Sequence, residues 1–185
     1  MDDDLSEEEL ALIRGNVRGY QDYWAWRNKP IAETGAVEEV LEALEGRVCE
    51  VTHMGKDDPP DCWFEKDGTK ISVEHTELVC QEALEETLKT GIHCYKVWDE
   101  SDLIQELGER IRKKAEKLAK YSDKYVENWL LVVTDEFELN EPRVSDWLSA
   151  NSLDLCGFTK VIFALSYHPS EDGNCRIPVF LIQGS

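Results

Sequence analysis

The stretch that decides the fold runs Pro60-Asp61-Cys62-Trp63-Phe64-Glu65-Lys66-Asp67-Gly68-Thr69-Lys70-Ile71-Ser72-Val73-Glu74-His75-Thr76-Glu77-Leu78. Two runs rich in aromatic and β-branched residues flank an Asp-Gly pair, which supplies the two positive φ values of a tight hairpin turn. Strands are therefore expected at Cys62–Phe64 and Ile71–Leu78. Alternation with period two puts Ser72, Glu74 and Thr76 on one face of the second strand, and Ile71, Val73 and His75 on the other. Asp61 opens the first strand, so Asp61 and Glu74 can converge at one end of the hairpin. Two carboxylates on adjacent strands beside a main-chain carbonyl make a hard oxygen site suited to Mg²⁺ or Mn²⁺.

Working outward, a helix is expected from near Pro30 to Glu45, with Val37, Val40, Leu41 and Leu44 as its apolar face and Gly46 as its stop. Val48–Val51 reads as a short strand, and Gln81 to Thr90 as helical or irregular. A long helix from about Ser101 to Tyr121 carries Ile104, Leu107, Ile111, Ala115 and Leu118 on one side. The unbroken apolar run Trp129–Val133 fits a buried strand. A short helix over Val144–Ala150 and strands at Val161–Leu165 and Ile177–Ile182 follow, with Pro178 placing the last strand at an edge. This order describes one α/β domain with a mixed sheet flanked by helices. Ahead of it, residues 1–29 read as an acidic helical arm, opened by the capping box Ser6-Glu7-Glu8-Glu9. The cluster Tyr20, Tyr23, Trp24 and Trp26 on that arm either docks onto the domain or forms a homodimer or partner surface.

The chain has 185 residues, with 20 Lys+Arg against 39 Asp+Glu and a formal net charge of −19. At 42% hydrophobic residues it is too apolar to be disordered. Such acidity counts against tight non-specific binding to nucleic acid or anionic membranes. No apolar run is long enough to span a bilayer, and the acidic start is not that of a secretory signal, so a cytoplasmic protein is expected. The cysteines form no C-x-x-C pair and the histidines no zinc spacing. No phosphate-binding glycine loop, nucleophile elbow or H-E-x-x-H is present.

The basic residues of the long helix are concentrated: Arg110, Arg112, Lys113, Lys114, Lys117, Lys120 and Lys124. At about 100° per residue, Lys114 lies roughly 60° from Ile111, nearly within the apolar stripe. Lys117 and Tyr121 follow just beyond it on the same side, while Lys113 and Lys120 face solvent. A lysine at the rim of a core-facing stripe is costly unless an anion receives it. The paired carboxylates or a phosphate would do so.

Pro60-Asp61 and Glu74-His75-Thr76 around a hairpin, followed by the Lys/Lys/Tyr helix and an apolar strand, resemble the PD-(D/E)XK phosphodiesterase superfamily. The closest pattern is a Glu-x-Thr variant found in uncharacterised bacterial members. The resemblance implies a restriction-endonuclease-like domain over 30–185 and a Mg²⁺-dependent nuclease. Asp61, Glu74 and the His75 carbonyl would hold the metal. Glu33, on the sheet-facing side of the first helix, would be a further acid. Thr76 stands where the motif lysine belongs, and Lys114, helped by Lys117 and Tyr121, would take over that charge. Nucleic acid would enter along the basic helix 110–124. The alternative is an inactive member of the fold, serving as an acidic interaction, immunity or DNA-mimic module for a basic protein.

Overall fold

The computed structural model describes residues 29–46, 50–55, 59–92, 94–136, 138–166 and 177–184. The expected N-terminal arm with its aromatic cluster lies outside the described residues. The elements are α1 (Lys29–Glu45), β1 (Val51–His53), β2 (Cys62–Lys66), β3 (Thr69–Glu77), α2 (Gln81–Thr90), α3 (Glu100–Leu118), β4 (Glu127–Thr134), α4 (Glu141–Ala150), β5 (Lys160–Leu165) and β6 (Val179–Leu181), with a 3₁₀ turn at Ser122–Lys124. The fold is α/β, as the order of the sequence patterns implies.

The six strands form one mixed sheet in chain order. β1, β2 and β3 pair antiparallel, β4 and β5 continue parallel to β3, and β6 closes the far edge antiparallel. The hairpin turns at Asp67 (φ 51°) and Gly68 (φ 76°), with Lys66 opposite Thr69. That is the two-residue loop with two positive φ values that Asp-Gly favours. The first strand pairs Val51–His53 with Phe64–Cys62; of the strand expected over Val48–Val51, residues 48 and 49 lie outside the described residues.

The alternation along β3 divides two cores. Ile71 and Val73 join Phe64, Trp129 and Leu131 beneath α1, whose Ala36, Val37, Val40 and Leu41 are buried there. On the other face, Leu130, Val132, Val161 and Phe163 pack against Leu103, Leu107, Ile111 and Leu118 of α3 and Val144 and Leu148 of α4. Glu74, one residue on from Val73, therefore points at α3 rather than α1. Asp99 caps α3, its side chain accepting the Asp102 amide at 2.8 Å, and Asn140 does the same for α4 through the Arg143 amide at 3.1 Å. Among the described residues, no helix is long and apolar enough to cross a membrane.

Candidate functional site: a lysine between two carboxylates

At the mouth of the β2–β3 hairpin, Lys114 Nζ lies 3.0 Å from Asp61 Oδ2 and 2.8 Å from Glu74 Oε2. Three elements fix this meeting. Asp61 stands just ahead of β2, and its Oδ2 also accepts the main-chain amide of His75 at 2.8 Å, which ties it to β3. Glu74 lies within β3, opposite Leu130 of the parallel strand β4, and is 1% exposed. Lys114 comes from α3, one turn after the buried Ile111. Strand alternation and helical periodicity, read independently from the sequence, thus bring these three side chains together as expected.

The charges do not balance: one ammonium serves two carboxylates. Glu74 Oε1 and the Tyr121 hydroxyl are both buried without a hydrogen bond of good geometry, and the two side chains interact with each other. Burial raises the Glu74 pKa above the ordinary carboxylate value; Lys114 opposes the rise and Asp61 adds to it. Burial works against the Lys114 charge, yet Asp61 and Glu74 together hold its pKa above that of an ordinary lysine. Lys114 therefore stays an ammonium and is no nucleophile at neutral pH. Burial and then the neighbouring Glu74 carboxylate push the Tyr121 hydroxyl above the ordinary tyrosine range. The negative field reaches Cys62, whose thiol is pushed up to about 12 by burial and then by Glu33, Asp61, Glu38 and Glu74.

The remaining expected residues are placed differently. Lys117 is exposed and reaches the cluster only as a nearby positive charge that lowers the Glu74 pKa. Thr76 shares the Glu74 face but is only half-buried, opposite Val132. His75 is buried on the α1 side of the sheet and meets the cluster through its main-chain amide. Glu33 is buried on α1, where its Oε2 lies 2.7 Å from His53 Nε2. His53 Nδ1 accepts the Gly55 amide at 2.8 Å, which leaves the proton on Nε2, facing Glu33. Among the described residues, no three His, Cys, Asp or Glu side chains gather into a metal-holding group. Asp61 and Glu74 remain a pair.

His53 is the neighbour that sequence reasoning missed. It sits opposite Cys62 in the β1–β2 register, and only that pairing brings it close to the head of β2. No local pattern around His53 carries the signal.

No family model matches the chain, and no curated protein matches it. A solved structure of a protein of unknown function from Pseudomonas aeruginosa strain PAO1, described as of the monooxygenase superfamily, aligns over 88% of this chain and 82% of that one, at 17% identity with a TM-score of 0.43. The comparisons correct the expected membership of the PD-(D/E)XK superfamily. No family model and no curated protein supports that membership. The nuclease function and the inactive-member alternative fall with it. At that identity and score the match transfers no activity to this chain.

Proposed function

We propose that the Asp61–Glu74–Lys114 cluster is a binding site for one hard divalent cation, Mg²⁺ or Mn²⁺, with Lys114 as the resident counter-charge that such a cation displaces. The observation that carries this reading is the acidic pair Asp61 and Glu74 sharing the single ammonium of Lys114, with Glu74 Oε1 buried and lacking a hydrogen bond of good geometry. Burying a carboxylate oxygen without a good hydrogen bond costs roughly 1–3 kcal/mol or more, and a cation with its water shell would recover that cost. Two carboxylates suffice for Mg²⁺, which keeps several waters and seldom uses an all-protein cage. A cation held there would present a Lewis-acidic face to an anionic ligand. The chain's own part is to hold it: the His75 amide fixes Asp61, β3 fixes Glu74, and Lys114 swings outward beside the exposed Lys117.

The test is Mn²⁺ titration of metal-stripped protein by calorimetry, with electron paramagnetic resonance reading bound Mn²⁺. The expected result is one saturable site whose affinity falls at least tenfold in Asp61→Asn and in Glu74→Gln. If wild type and both variants take up Mn²⁺ equally, or the wild type takes up none, the reading fails and the cluster is a structural ion pair.

A further inference from the structure

A second feature lies one helical turn along α3 from Lys114 and is chemically unlike the carboxylate cluster. A cavity of about 510 Å³ opens between the segment following β3, the segment 94–98 and the middle of α3. Tyr95, Lys96, Trp98, Glu106 and Arg110 are among its lining residues. Its volume lies within the range of small-molecule sites, roughly 300–1,000 Å³. Its walls are fixed. Glu136 uses one carboxylate oxygen on the Cys80 amide at 2.7 Å and the other on Trp98 Nε1 at 3.1 Å. The Cys94 amide is tied to Thr87 Oγ1 at 2.8 Å.

The two cations of the cavity differ. Lys96 is satisfied: its Nζ lies 3.1 Å from Asp102 Oδ1 and 4.5 Å from the centre of the Trp98 ring. Arg110 is not. Its Nη2 reaches Glu106 Oε2 only at 3.6 Å, and its Nε is buried without a partner. Nε and Nη2 form the side edge of a guanidinium, the pair of parallel donors that a carboxylate accepts in bidentate fashion. One donor of that edge is therefore orphaned, and the other is weakly engaged by a half-exposed glutamate that adds little. Tyr95, half-exposed, and Trp98, buried, give the same cavity aromatic walls.

We infer that this cavity binds a small planar carboxylate, its carboxyl group received by the guanidinium of Arg110 and its ring by the exposed Tyr95. The inference goes beyond the cation site and does not depend on it, so its test is run with chelator present and no divalent metal. The probes are 2-naphthoate and its uncharged isostere 2-naphthamide, followed by ligand-observed NMR and by the fluorescence of the naphthyl group. Wild-type protein should bind naphthoate at one saturable site and naphthamide at least tenfold more weakly. Arg110→Gln should lose at least tenfold in naphthoate affinity, and Arg110→Lys should recover part of it. Tyr95→Ala should weaken naphthoate several-fold in protein that still unfolds cooperatively. Equal binding of acid and amide by wild-type protein would overturn the inference, and this comparison needs no variant to fold. Undiminished naphthoate binding by a folded Arg110→Gln protein would overturn it as well.

Discussion

Glu74 illustrates how a single side chain can be held in an unfavourable state. Its carboxylate is almost wholly buried, shares the ammonium of Lys114 with Asp61, and keeps one oxygen without a hydrogen bond of good geometry. Its folded-state pKa is raised above the ordinary 4.5, so between these two values the folded chain binds more protons than the unfolded one. Stability from this group is then fully present below pH 4.5 and is lost as pH rises through the raised value. The expected outcome is that the melting temperature of Glu74→Gln, measured relative to wild type without metal, increases as pH rises above 4.5. A difference flat across that window would contradict the assignment. Lys114→Met should act in the opposite sense at neutral pH. It leaves two facing carboxylates with only the exposed Lys117 nearby, at a cost of about 3 kcal/mol in denaturant unfolding. At this scale much of the site was legible in the sequence. Alternation placed Glu74 opposite the His75 side chain, and the 100° helical step placed Lys114 at the rim of the Ile111 stripe. The partnership of Glu33 with His53 was not legible, because it joins residues on α1 and β1 through tertiary packing alone.

Among the elements, the β2–β3 hairpin sets the geometry of the site, and its turn is the part most open to test. Gly68 has φ 76°, and a Cβ built there meets nothing within 4 Å. Gly68→Ala should therefore destabilise the protein through backbone strain alone, by about 1 kcal/mol. Gly68→Asn should cost less, since asparagine tolerates the left-handed region. Equal melting of Gly68→Ala and wild type would refute the turn geometry. The Asn140 cap of α4 makes a second, independent check, with Asn140→Ala costing about 1 kcal/mol in the same assay. Long, strongly patterned elements were readable: α1 and β4 fall close to where the apolar pattern put them, while α3 ends at Leu118, three residues short of the expected Tyr121. Short ones were less so. β1 pairs over Val51–His53 because the hairpin register presents Phe64 and Cys62 there, a constraint that no count of apolar residues contains. β6 is shorter than its apolar run, with residues Val179–Leu181 alone in the ladder at the sheet edge.

For the molecule as a whole, the net charge of −19 is the dominant electrostatic fact. Self-repulsion of that magnitude weakens the compact state. Raising the salt concentration from about 0.01 M to about 1 M shortens the screening length from about 30 Å to about 3 Å. The melting temperature should rise over that range with potassium chloride, a salt chosen to avoid divalent effects; a fall would show that attractive ion pairs outweigh the repulsion. The same charge sharpens the meaning of the buried cluster. A protein this acidic attracts cations everywhere on its surface, so binding alone says little about Asp61 and Glu74, and displacement of Lys114 says much more. The direct measurement is the Mn²⁺ affinity of Lys114→Met against wild type, at equal ionic strength, with bound metal read by electron paramagnetic resonance. The account predicts that removing the resident ammonium tightens Mn²⁺ binding at least tenfold and restores the melting temperature lost by the substitution. Unchanged or weaker Mn²⁺ binding by the folded variant would contradict it.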